Sequence, residues 1–143
     1  MTLDFALVEK KLHLLAGYVG EIKPFVAEFS DDDILKDSVK YHALERVFQL
    51  AVDAMIDINR HIIKEKHLGA PDDLEGTFRL LGEMNVIEKN FAFTIAPIVG
   101  VRNMIVHQYE KLDRALFVRN TKKNYGDFGE YTRQVRAFVG KEK

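Results

Sequence analysis

The stretch ALERVFQLAVDAMIDINRHII, residues 43–63, carries apolar side chains at Leu44, Val47, Phe48, Ala51, Met55, Ile58 and Ile62. Steps of three and four put these on one face of an α-helix, whereas a half-buried strand needs alternation at every second residue. Leu50 and Ala54 widen the stripe. The helix, read as running from about Ile34 to His67, is therefore expected to pack against two neighbours. Upstream, Leu3, Leu7, Val8, Leu12, Leu14, Leu15, Tyr18, Val19 and Ile22 repeat the helical period, and Pro24 is expected to end or kink that opening helix. Between the two, Ser30 and Asp31, Asp32 and Asp33 suit a helix start, because their oxygens accept from unpaired N–H groups and their charge complements the positive helix end.

Downstream, Gly69 and Pro71 stop the long helix, and Asp72 and Asp73 open a shorter one through TFRLLGEMNVI, residues 77–87. A further helix is expected from about Phe91 to Gln108. It would tolerate Pro97 in its first turns and use Gly100 where another backbone comes close. The last spans about Leu112 to Phe138, weakened at Tyr125-Gly126 and Phe128-Gly129. No useful run of alternation and no internal repeat occurs. The expectation is an all-α, up-and-down bundle of four to five helices, with residues 1–143 forming one domain.

Composition narrows the function classes. A chain that is 47% hydrophobic and 30% charged has the balance of a globular protein and lacks a disordered tract. Without Cys it has no disulfide, thiolate nucleophile or Cys-based metal site, which fits a reducing compartment. The start MTLDFALVEKK lacks the layout of a signal peptide, and no run of 18 apolar residues is present, so a cytoplasmic location with no membrane association is expected. A net charge of -1 does not mark a nucleic-acid binder. From Lys111 to Arg136, seven Lys and Arg stand among Glu110, Asp113, Asp127 and Glu130, a mildly basic region that reads first as a solvated helix face.

The chemistry-bearing stretch is VRNMIVHQYE, residues 101–110. With eight Arg and five His in 143 residues, chance alone supplies about 0.3 pairs spaced as Arg102 and His107 are; requiring a Tyr two residues later lowers this to about 0.01. On a helix, Asn103 and His107 share a face, but Arg102 and His107 are separated by about 140° around the axis and about 7.5 Å along it. One helix does not aim both at one atom. They converge only if the helix ends near His107, if Arg102 reaches round, or if a second copy of the chain completes the site. The plainer alternatives are a surface ion pair from Arg102 to Glu110 or Asp113, a helix-end imidazole bonded to a carbonyl, and a half-buried Tyr closing the helix. On the long helix Asp53, Asp57 and His61 lie a turn apart, a set able to do acid-base work or hold a metal. It reads first as a solvated or dimer-facing stripe with Asp57 pairing Arg60 or His61. His13, His42 and His67 lack ligand-like spacing, so no metal site is assigned.

RNMIVHQY resembles the R-x-x-x-x-H-x-Y signature of HepT-like toxins in the HEPN superfamily, and ALERVFQLAVDAMIDINRHII resembles their long second helix. The likeness runs from Leu44 through VGVRNMIVHQYEKLD, residues 99–113; Pro97 and the Gly-containing last helix have no clear counterpart. The resemblance implies a homodimeric, metal- and cofactor-independent endoribonuclease, the toxin of a toxin–antitoxin pair. Its antitoxin would be a minimal nucleotidyltransferase. By the same resemblance Arg102 and His107 are the catalytic pair at the dimer two-fold, Asn103 is the polar support, and Tyr109 matches a tyrosine that the partner modifies with AMP. The chemistry suits these residues: RNA carries its own 2′-hydroxyl nucleophile, an imidazole exchanges protons near neutral pH, and a guanidinium offers a fixed fork of donors to phosphate. Phosphate attached at Tyr109 would repel the RNA backbone. The alternative of a different class is a non-catalytic helical adaptor that binds a nucleotidyltransferase or its nucleotide.

Overall fold

Asp37 starts the central helix, its Oδ1 accepting from the backbone N–H groups of Val39 at 3.0 Å and Lys40 at 3.2 Å. In the computed structural model, which describes residues 3–143, this helix, α3, spans Ser38–Glu65. It carries two buried stripes rather than one. Leu44, Phe48, Ala51, Met55, Ile58 and Ile62 form the expected stripe, and Val52, Ile56, Asn59 and Ile63 form a second. An element buried on two faces has neighbours on both, which makes α3 the axis of the fold.

Around it, the described residues form α1 (Phe5–Ala27), α2 (Asp31–Leu35), α4 (Leu74–Glu83), α5 (Lys89–Ile95), α6 (Ile98–His107), α7 (Arg114–Lys123) and α8 (Gly126–Glu142), with a single 3-10 turn at Tyr109–Lys111 and no strand. The architecture is the expected all-α bundle, with α3 packed on α1, α2, α4 and α6. None of these helices is long and apolar enough to cross a membrane.

The expected segments are subdivided, and each break has a local cause. The stretch read as one helix from Ile34 is two: Ser30 and Asp33 form a reciprocal capping box on α2, and Asp37 restarts the chain. The stretch from Phe91 to Gln108 is cut at Ala96-Pro97, where turn bonds run from Val99 N–H to Ala96 O at 3.2 Å and from Gly100 N–H to Pro97 O at 3.0 Å. Proline has no N–H to continue the ladder, so α6 begins afresh behind it. The last stretch breaks at Asn124 and Tyr125, the weak point expected there. Pro24, by contrast, does not end α1, which continues to Ala27. The carbonyl it leaves unpaired belongs to Gly20, an exposed residue, so water can satisfy it.

Gly100 was the expected site of close backbone approach, but its environment is open; Gly82 is the close contact. A Cβ there would stand 2.5 Å from that of Ala92, so α4 and α5 meet only because position 82 has no side chain. The bundle is also keyed by polar groups. Buried Asn59 donates to Thr77 Oγ1 at 3.1 Å and accepts from the Tyr131 hydroxyl at 2.6 Å, and that hydroxyl also lies 3.2 Å from Met55 O. This fixes α4 and α8 against one level of α3, since breaking any link leaves a buried polar atom unpaired.

Candidate active site on the short helix α6

α6 exists as a separate short helix because Pro97 restarts it, and it ends at His107, where Gln108 leaves the helical region at φ −135°, ψ 47°. Its apolar side packs on α3 through Val99, which is buried, with Ile98, Val101 and Ile105 partly buried against the core. The polar residues of the motif are therefore carried at the edge of that packed face.

Arg102 turns toward α3. Its Nε–H donates to Asp53 Oδ1 at 2.7 Å and its Nη1–H to Asn103 Oδ1 at 3.0 Å. Both members of the Asp53 ion pair are partly sheltered, with side-chain exposures of 19% for Arg102 and 34% for Asp53. Charge-assisted bonds of this kind are shorter and stronger than neutral ones, and they hold the guanidinium in one orientation with the rest of its fork unused. Arg102 thus pairs with neither Glu110 nor Asp113, the partners its sequence neighbourhood offers. Asp53, expected on a solvated or dimer-facing stripe, is the residue that orients Arg102. The signal for it was present, since Asp53, Asp57 and His61 share a face, but the partner lies 49 residues away in sequence. Asp57 pairs with Lys11 at 2.5 Å rather than with Arg60 or His61, and His61 Nε2 is buried without a hydrogen-bond partner.

His107 is exposed at the last position of α6, and among the described residues no hydrogen bond engages its ring. Arg102 and Asn103 are thus brought together with Asp53, while His107 stands free at the helix end. Along one side of α6, from buried to exposed, Val99, Asn103 and His107 follow one another at four-residue steps. The first two line a cleft of 760 Å³ between α3, α6 and the 69–73 loop.

Tyr109 lies outside the helix, in the 3-10 turn. Its hydroxyl accepts from Arg114 Nη2 and lies 3.5 Å from His42 Nδ1. The Arg114 guanidinium stacks between two phenol rings, 4.5 Å from the centroid of Tyr41 and 5.3 Å from that of Tyr109. Behind them Glu45, buried on α3, reaches His42 Nδ1 at 3.4 Å, and burial followed by the Glu45 carboxylate pushes the Tyr41 phenol far above the usual tyrosine range. Neither His42 nor Arg114 was singled out from sequence. The 67 residues between His42 and Tyr109 leave no local pattern to read.

Comparison with known proteins extends the geometry. The family described as ribonuclease HepT-like matches residues 15–135. The tRNA nuclease HepT of Aphanizomenon flos-aquae is 29% identical over 133 residues, covering 93% of this chain and 90% of that protein. The mRNA nuclease HepT of Shewanella oneidensis is 30% identical over 111 residues, covering 78% and 80%. Among solved structures, the tri-AMPylated Shewanella oneidensis HEPN toxin in complex with MNT antitoxin superposes with a TM-score of 0.81 at 24% identity, covering 91% of this chain and 96% of that one. The cytosolic protein YutE of Bacillus subtilis superposes with a TM-score of 0.85 at 17% identity, covering 99% and 95%. Both structural likenesses concern the fold. The family match spans nearly all of the helical framework and includes the motif from Arg102 to Tyr109. The chain belongs to the HepT-like ribonuclease family.

Proposed function

We propose that this chain is a metal-independent endoribonuclease toxin of the cytoplasm, a single domain over residues 1–143 that acts as a homodimer. A minimal nucleotidyltransferase antitoxin silences it by AMPylating Tyr109. Arg102 and His107 are the catalytic pair and Asn103 positions the substrate. The observation that carries the reading is the Arg102 guanidinium, oriented by Asp53 and Asn103, on the same short helix that ends in an exposed, unengaged His107.

In the reaction the 2′-hydroxyl oxygen of the substrate attacks the adjacent phosphorus and the bond to the 5′ oxygen breaks. An imidazole takes the 2′ proton, a protonated imidazole returns one to the leaving oxygen, and Arg102 donates to the non-bridging oxygens where charge accumulates. His107 alone cannot hold both protonation states at once, and about 140° of helix separates Arg102 from His107 within a protomer. A two-fold pairing of α6 helices supplies two imidazoles and two guanidinia to one phosphate. Val106 and Leu116, large apolar side chains left exposed around the motif, support such a pairing.

Tyr109 suits the role of acceptor because the residue is exposed and its oxygen faces a guanidinium. A phosphate attached there meets Arg114 at once and adds negative charge beside the path of the RNA. The test is cleavage of RNA by the purified protein in EDTA. Wild type cuts and His107→Ala does not; cleavage that needs a divalent metal, or that survives the substitution, overturns the proposal.

A further inference from the structure

One stripe of α3 divides into two halves with opposite fates. Asp53, Asp57, Arg60 and Lys64 follow at steps of four, three and four, so all four project from one face. The acidic half is neutralised within the chain, Asp53 by Arg102 and Asp57 by Lys11. The basic half is not: among the described residues Arg60 and Lys64 form no ion pair, and both line the 760 Å³ cleft whose other wall carries Val99 and Asn103 of α6. The negative end of the α3 dipole accounts for a cation at Lys64 in the last turn, but not for Arg60 a turn earlier. Across the cleft Asp73 caps α4 and Glu75 pairs with Arg79, which leaves Asp72 as the opposing carboxylate without a partner. His107 lies one helical turn beyond Asn103 on the same face of α6, so a strand that leaves the cleft past Asn103 along that face meets it next.

We infer that Arg60 and Lys64 form a phosphate-binding track for single-stranded RNA, holding the backbone on one side of the scissile bond while Arg102 and His107 act on the bond itself. At a rise of about 1.5 Å per residue, Lys64 stands about 16 Å along α3 from the Asp53 level where Arg102 is anchored, a span that a few successive phosphates cover. Such contacts set register and affinity without reading bases. Asp72 on the far wall repels the same backbone and keeps the strand on the α3 side. The inference rests on the ribonuclease reading, and the experiment separates the two.

A fluorescein-labelled single-stranded RNA is titrated with His107→Ala protein, with anisotropy read across a salt series and wild-type cleavage run in parallel. Adding Arg60→Ala and Lys64→Ala together is expected to weaken binding about tenfold and to flatten the slope of log affinity against log salt by about 1.4, the loss of two phosphate contacts on a single strand. Lys64→Arg is expected to bind as its parent does, and Asp72→Asn more tightly. Unchanged affinity and slope in the double variant overturn the track, and wild-type cleavage then still stands. Failure of the His107→Ala protein to bind RNA, together with a wild type that does not cut, overturns the ribonuclease reading and the track with it. Both positions are exposed, so a folding defect is not expected, and an unchanged thermal midpoint verifies that.

Discussion

The two ends of one motif are held in different ways. Arg102 sits in the body of a packed helix, its side chain 19% exposed, and is tied to α3 by an ion pair. Tyr109, seven residues later, is 39% exposed in a 3-10 turn and is cradled by Arg114 on α7 and His42 on α3. A guanidinium that must meet a transition state benefits from fixed geometry, since every degree of freedom left open costs rate. A tyrosine that another enzyme must reach benefits from exposure. The sequence meets both needs within seven residues, because the helix ends between Arg102 and Tyr109.

That contrast can be broken at several points. The largest effect is expected from His107→Ala, which should lower RNA cleavage at least about 100-fold in single-turnover assays, the usual weight of a general acid or base. Next, Asp53→Asn keeps the shape but weakens the anchor of Arg102. A fall in kcat of about tenfold is expected, with KM for RNA unchanged or lower because a carboxylate near the phosphate backbone is gone. A rise in KM with kcat intact would place Asp53 on the binding side instead. Smaller still, Arg114→Ala is expected to leave cleavage intact while lowering AMP incorporation at Tyr109 severalfold when the antitoxin is supplied with ATP, as loss of one charge-assisted contact would. Tyr109→Phe should cut RNA as well as wild type and accept no AMP; impaired cleavage would draw the two ends of the motif into one site.

Much of the framework was legible because it repeats locally. The core stripe of α3 was readable at Leu44, Phe48, Ala51, Met55, Ile58 and Ile62, and the caps at Ser30 and Asp73 were marked by residue type alone. Where reading faltered, the competing effects were small. Pro24 and Pro97 carry the same local signal, yet one lies inside a helix and the other starts one, because the carbonyl freed by Pro24 reaches water whereas α6 is redirected against α3. The closely approached glycine was misplaced for the same reason: Gly82 and Gly100 look alike until Ala92 is seen against one of them. At the site, the motif residues were visible as a spacing. Asp53 was visible as part of a polar stripe but its pairing with Arg102 was not, and His42 and Arg114 gave no signal, because each acts across a tertiary contact.

By itself the sequence determined that the chain is helical, where most helices begin, and which short segment concentrates an arginine, a histidine and a tyrosine, since hydrophobic period, caps and motif spacing act within a few residues of chain. Only the tertiary structure decided that Asp53 faces Arg102 while Asp57 faces Lys11, that Arg60 and Lys64 open onto a cleft, and that Tyr109 rests against Arg114 and His42. Side chains of like charge on one helix face are interchangeable in sequence. They acquire different partners only when another helix is laid across them, and the place where α6 crosses α3 is set by core packing rather than by the charges themselves.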